Sequence, residues 1–314
     1  IFRTAGEIMA KKEEKNLIFD EGDSKKKKRK RNLVLGGIFL LGFLIAIYPV
    51  ISQLYYRQVA TKEVESFDTK RNELDEAELK ERLELAHAYN RTLDPTRLAD
   101  PFTEKEEAGR REYAKMLEIG EKIGHIEIPQ INEDLPVYAG TGEEILQKGA
   151  GHLEGSSLPV GGTSTHAVIT AHRGLPTAKL FRELDKLQKG DVFFYHNIEG
   201  VIAYEVDQIL TVVPTNFEPV LVQEGKDLMT LLTCTPYMIN SHRLLVRGHR
   251  IPYKPDVEIT RRATGTSDAS YREYFMITLS IILFLVLVLF IEYSSLRKYK
   301  KIFRELRKKR DKDE

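Results

Sequence analysis

The sequence predicts a mainly β domain held between two membrane-spanning helices, on three observations. Two uncharged apolar stretches lie near the ends, basic runs flank them on their outer sides, and between them a charged helical region gives way to short β-rich segments separated by turn residues. The 314 residues carry 48 Lys and Arg against 47 Asp and Glu, a net charge of +1. That balance gives no support for a polyanion partner, so no nucleic acid is expected.

The first apolar stretch, LVLGGIFLLGFLIAIYPVI from Leu33 to Ile51, matches the roughly 30 Å hydrocarbon core at about 1.5 Å per residue. The second, FMITLSIILFLVLVLFI from Phe275 to Ile291, is shorter and equally uncharged. Neither shows the polar face that a core helix carries. A cleaved signal peptide fits the first site poorly, because its apolar run is longer than usual and no clear small-residue cleavage site is visible.

KKKKRKR, Lys25 to Arg31, precedes the first stretch, and RKYKKIFRELRKKR, Arg297 to Arg310, follows the second. The positive-inside rule therefore puts both ends in the cytoplasm and the intervening region outside, with the basic runs facing anionic membrane lipid. The expected organisation is a cytoplasmic segment at 1–31, with translation starting at Met9, and spans at 32–56 and 274–292. A basic cytoplasmic tail follows at 293–314.

Residues 57–122 read as a helical region. From Asn72 to Leu93 the sequence is charged and periodic, with Leu79, Leu83 and Ala86 on one stripe, and a second helix is expected from Glu104 to Ile119. Between them DPTRLADPF, Asp94 to Phe102, contains Pro95 and Pro101 and predicts a loop at about 94–103.

From Gly124 the period changes. HIEIPQI, LPVYAG, HAVITAH, DVFFYHN, GVIAYEVDQILTVV, DLMTLLTC and HRLLVRGHR are short, β-branched and aromatic, and HNIEG reads as a hairpin connection. AKLFRELDKLQ, Ala178 to Gln188, and EEILQKG interrupt them as helices. Strands spaced this way favour a sandwich or a closed barrel over a βαβ fold. The β domain is placed at 123–255, with a linker at 256–273.

Cys234 is the single cysteine, so outside the cell it has no intramolecular disulfide partner. It is either an apolar filler or a reactive thiol. In TLLTC the alternation puts Thr230, Leu232 and Cys234 on one face, and Pro236 ends the strand just beyond, which sets the thiol at a strand's mouth. RLLVRGHR should return antiparallel, bringing Arg243 across from the cysteine, whereas Arg247 and Arg250 read as solvated strand positions.

ITAHRGLP places His172 at another strand end. An imidazole near Cys234 favours the thiolate, the form that attacks carbonyls, and can protonate a leaving amine; an arginine opposite stabilises an oxyanion. His87, His125, His152, His166, His196, His242 and His249 compete with His172, and each alone reads as structural.

Three other readings are weighed. A metal site of Cys234, His242 and His249 matches no common zinc spacing. A papain-type protease would put its nucleophile at a helix N-terminus. A tethered, non-catalytic β domain that binds surface proteins would function without its thiol.

TLLTC followed by Arg243, with ITAHRGLP upstream and IEIPQINEDLPVYAG opening the strand region, resembles the sortases, in particular the class C, pilus-assembling sortases of Gram-positive bacteria. The resemblance implies a closed eight-stranded β-barrel with N-terminal helices. It implies catalytic roles for Cys234, His172 and Arg243, and a lid formed by Asp100, Pro101 and Phe102, with Asp100 facing the arginine and Phe102 covering the cysteine. Ala171 departs from the family, where many members have Gly before the histidine.

The implied protein is a two-pass membrane transpeptidase with an extracellular catalytic domain. It cleaves an LPxTG-like sorting signal between Thr and Gly through a thioacyl enzyme, then passes the acyl group to a lysine amine of a pilin subunit as an isopeptide bond. Its partners are pilin subunits carrying the signal and the acceptor lysine, together with membrane lipid; no cofactor and no metal are implied.

Overall fold

The chain opens with a single long helix, α1, Ala5–Arg71, which runs through the basic segment and the first apolar stretch and contains Pro49. The structure is a computed structural model and describes residues 5–93, 98, 110–175 and 177–255 and isolated helical positions between 278 and 297. Two compact units are distinguished, one of residues 1–56 with 176–178 and one of the remainder. Among the described residues, one helix, Gly36–Arg71, is long and apolar enough to cross a membrane, its most apolar 18-residue stretch having a mean hydropathy of 2.0. Ile38, Leu41, Ile45 and Leu54 on it are exposed. The second expected span, the linker and the basic tail lie outside the described residues apart from the isolated positions.

In the larger unit, the last turns of α1 pack on the first strand. Phe67 is fully buried, edge-on to the His125 ring at 6.2 Å, and Glu63 pairs with the buried Lys122. Helix α2, Glu76–Arg91, starts where the Asp75 side chain accepts the Glu78 N–H at 2.8 Å, later than the expected Asn72 because that carboxylate caps it. Ala86 is buried while Leu79 and Leu83 are half-buried.

The helix expected from Glu104 to Ile119 is corrected where it is described: Arg110–Leu117 is a 3₁₀ helix. Its buried residues Ala114 and Leu117 stand three apart, the 3₁₀ repeat. The helix expected at Ala178–Gln188 is also corrected, since only Leu184–Lys186 forms a short 3₁₀ turn. Leu180 takes φ +47, and the Phe181 N–H bonds the His172 carbonyl at 3.1 Å, so this backbone is tied to its neighbour instead of to itself.

The strands are β1 (Lys122–Ile128), β2 (Glu133–Ala139), β3 (Ala150–His152), β4 (Thr165–Thr170), β5 (Val192–His196), β6 (Val201–Val212), β7 (Asp227–Thr235) and β8 (His242–Ile251). They close into a barrel in the order β1-β2-β3-β4-β7-β8-β6-β5. Closure leaves no free sheet edge. The β2–β3 and β4–β7 pairs are parallel and the others antiparallel.

HNIEG forms the expected hairpin, with His196 opposite Val201 and Asn197 Oδ1 accepting the N–H groups of Glu199 and Gly200 at 2.9 and 3.0 Å. EEILQKG supplies one helical turn, α3, Glu143–Leu146. β3 escaped the sequence reading because its middle residue is Gly151, where a Cβ would meet the Gly140 carbonyl oxygen at 2.2 Å. Close approach of backbones, not side-chain alternation, selects that residue.

Candidate active site

Three neighbouring strands, β4, β7 and β8, end at one rim, and each delivers one of the sequence-predicted residues there. In the parallel β4–β7 ladder Thr170 stands beside Leu232. The pairing continues past the ladder: the Ala171 N–H donates to the Leu232 carbonyl at 3.3 Å and the Thr233 hydroxyl to the Ala171 carbonyl at 2.8 Å. His172 therefore leaves the sheet level with Cys234. On the other side of β7, Cys234 stands directly opposite Arg243 in the antiparallel ladder.

The side chains are held as well as the backbone. Arg243 is 4% exposed, far from a solvated strand position, and its Nη1 donates to the Asn240 and His242 carbonyls at 3.0 and 3.1 Å. Those carbonyls belong to the loop and strand start after the cis Thr235–Pro236 peptide, where the N–H groups of Ile239 and Asn240 bond the Pro236 carbonyl. His172 Nε2 lies 3.3 Å from Glu143 Oε2, and Glu143 Oε1 accepts from the Gln147 amide at 2.9 Å. Cys234 is buried.

Two residues near the site escaped the sequence reading. Arg173 donates to the Thr235 hydroxyl, next to the thiol, and to Asp185 Oδ2 at 2.6 Å, which ties the post-β4 turn to the end of β7. Glu143 approaches His172 from α3. Adjacency to His172 was the available signal for Arg173; Glu143 carries no local signal, since the fold alone brings α3 to the histidine.

Below the rim lies an apolar floor. Leu153, Val168, Val220, Leu232 and Leu245 form one buried cluster, with Leu210, Val212, Phe217 and Leu98 packed against it. Leu232 and Leu245 are ladder partners one alternation step back from Cys234 and Arg243, so floor and thiol share a face. Leu98 is the one described residue of the 94–103 loop; Asp100, Pro101 and Phe102 lie outside the described residues.

His242 stands opposite Thr235 at the rim itself, whereas His125, His152, His166, His196 and His249 occupy other surroundings. His152 and His166 are buried, and burial pushes each down to about 4 despite hydrogen bonds to the Ser157 and Leu221 carbonyls. His125 stacks on His196 at 4.0 Å; burial opposes its charge, but the hydrogen bond to Asp134 at 2.6 Å and the Asp68 carboxylate 3.5 Å from its other nitrogen outweigh burial and lift it to about 9. His249 stands opposite Leu228, so it lies about 20 Å along the strand from the thiol's level at roughly 3.3 Å per residue and cannot share a metal with Cys234. Among the described residues no group of His, Cys, Asp and Glu is placed to hold a metal ion.

Arg247 is a correction. It is held by both oxygens of Asp207 at 2.9 and 3.0 Å and is largely buried. A register shift between Val206 and Gln208 leaves Asp207 out of the ladder and frees it to face Arg247. Arg250 is exposed as expected, 3.3 Å from Asp227.

The arrangement presents a thiol, an imidazole and a guanidinium at one rim above an apolar floor, with the thiol on a strand and not at a papain-like helix N-terminus. Residues 126–251 match the family model for the Sortase domain. Sortase D of Bacillus subtilis is 30% identical over 137 residues, 43% of this chain, and Sortase A of Bacillus anthracis is 31% identical over 132 residues, 42% of it. The chain spans 66% and 61% of the lengths of these two relatives.

Among solved structures, Sortase C of Streptococcus pneumoniae is 62% identical with a TM-score of 0.59, covering 61% of this chain and 97% of its own. The pilus-related Sortase C of Group B Streptococcus is 55% identical at a TM-score of 0.59, covering 61% and 98%. A closed barrel of this strand order and near-complete coverage of those two structures lead to one conclusion: the chain belongs to the sortase family, where these solved neighbours are sortases of class C.

Proposed function

We propose that the protein is a membrane-anchored cysteine transpeptidase that cleaves an LPxTG-like sorting signal and joins pilin subunits through a lysine amine. One observation carries the reading: ladder register brings Cys234, Arg243 and the residue after Ala171 to the same level of three adjacent strands. The pilin assignment is supported by likeness to the sortase C of Streptococcus pneumoniae, whose solved structure is described in terms of pilin substrate specificity. Anchoring is supported by the exposed apolar helix Gly36–Arg71.

In the proposed cycle the Cys234 thiolate adds to the threonine carbonyl carbon, and the oxyanion that forms is met by the Arg243 guanidinium. The carbon–nitrogen bond then breaks, with His172 giving its proton to the leaving glycine amine, a transfer that contributes typically about 10²- to 10⁴-fold. A lysine amine adds to the thioester and gives up its proton to His172, and the sulfur leaves as thiolate. A groove closed over an apolar floor favours that amine over water by excluding water.

Asp100, Pro101 and Phe102 serve in this reading as a lid over the thiol. Leu98, two residues before Asp100, packs on the same floor and supports this reading.

The test is intact mass of the protein after incubation with an LPxTG-like peptide, followed by addition of a lysine-bearing pilin fragment. An acyl adduct on the wild type that is absent from Cys234→Ala, and that passes to the lysine, is expected. Equal adduct on both proteins, or none on the wild type, overturns the reading.

A further inference from the structure

Thr170 breaks the rule that buried polar groups find partners. It is fully buried, and its hydroxyl makes no hydrogen bond. Such an orphan weakens the fold that holds it, and valine has the same shape without the polar atom. Other buried hydroxyls nearby are satisfied: Thr230 bonds His166, Thr233 bonds Ala171 and Ser157 accepts the His166 N–H.

The position of the orphan is what gives it meaning. Along β4 Val168 and Thr170 alternate onto one face, two residues short of His172, and Val168 belongs to the apolar floor. Across the ladder Thr170 stands beside Leu232, itself a floor residue and one alternation step before Cys234. The hydroxyl therefore lies about 7 Å along the strands from the level of the thiol, on the thiol's own face and beside the histidine's strand end. It is the one buried hydroxyl without a hydrogen-bond partner among the described residues.

We infer that Thr170 is a substrate-positioning residue whose hydroxyl hydrogen-bonds a main-chain amide of the acyl-donor peptide, just upstream of the scissile carbonyl. This rests on the transpeptidase reading and deepens it. An extended peptide with its scissile carbonyl at Cys234 brings the preceding peptide groups within a residue or two of that level. Those groups lose water on entering an apolar groove and need a partner there. Thr170 meets that need on a floor whose clustered side chains are otherwise hydrocarbon. A site built to hydrogen-bond a substrate group discriminates strongly, because a missing partner leaves the substrate's own polar atom buried and unpaired.

The experiment compares wild type, Thr170→Val and Thr170→Ser in the full chain, using three readouts. These are kcat and KM for acylation by an LPxTG-like peptide, the rate at which iodoacetamide alkylates Cys234, and the melting temperature. The expected result for Thr170→Val is about a tenfold loss of kcat/KM, with alkylation unchanged and the melting temperature equal or higher. Thr170→Ser is expected to retain most of the activity, because it keeps the hydroxyl.

If Thr170→Val acylates as well as wild type, the inference fails while the transpeptidase reading stands. A fall in melting temperature and alkylation alongside acylation assigns Thr170 a structural role and also overturns the inference. If the wild type forms no acyl adduct, the transpeptidase reading fails and takes the inference with it.

Discussion

Gly248 lies on β8 opposite Val206, beneath the stacked rings of Phe193 and Tyr204, whose centroids are 5.6 Å apart. A Cβ at that position would meet Phe193 at 2.8 Å and the Tyr204 Cβ at 2.9 Å. Gly248→Ala is expected to destabilise the barrel by about 1 to 3 kcal/mol through overpacking, measured by denaturant unfolding. An unchanged midpoint would show that the rings yield without loss. In the sequence this glycine sits unremarked inside RLLVRGHR, because the rings that demand it come from β5 and β6. Cys234 and Arg243 were legible for the opposite reason. Strand alternation, a proline stop and one short loop fix their relation within a single hairpin, and the ladder sets them opposite each other. Glu143 was not legible, since its 3.3 Å approach to His172 depends on α3 lying beside the end of β4.

At the scale of elements, periodicity reported the strands whose side chains alternate and missed β3, whose glycine is chosen by the Gly140 backbone. It also overcalled helix at Ala178–Gln188, where the Phe181 N–H goes to the His172 carbonyl and leaves no helical ladder to form. A helical pattern of apolar residues there reports burial of Leu180, Phe181, Leu184 and Leu187, not helical backbone. The loop at 94–103 was read from its prolines, and Leu98, its one described residue, packs on the floor shared with the thiol. If that loop is a lid, Asp100→Ala and Phe102→Ala shift it toward the open state and expose the thiol. Faster alkylation of Cys234 by iodoacetamide is expected in both variants, and wild-type rates in both would remove the lid from the mechanism.

Across the whole molecule, buried histidines set the pH range of the fold. His125, at about 9 against an ordinary 6.5, holds a proton that the unfolded chain releases, so its contribution is complete below about pH 6.5 and disappears as pH rises through 9. His152 and His166, pressed to about 4, stay neutral where the unfolded chain would bind protons, so stability falls as pH drops from 6.5 toward 4. Melting temperature is expected to peak near pH 6.5 and decline on both sides, with His125→Gln flattening the alkaline limb. Thermal melts between pH 4 and 10 check this, and an alkaline limb unchanged in that variant would assign the loss to another group. The carboxylates facing His125, Asp68 and Asp134, reach it from α1 and β2, so the alkaline limb also reports how firmly the last turns of α1 grip the barrel.

The side-by-side run of β4 and β7 has an outcome for biogenesis. Thr233 clasps Ala171 across 62 residues of sequence, so the imidazole and the sulfur meet late, when the penultimate strand slots into place. A ribosome product that stops short of Asp227 carries the histidine but no nucleophile. The half-made chain therefore lacks its thiol until almost all of the barrel has been synthesised.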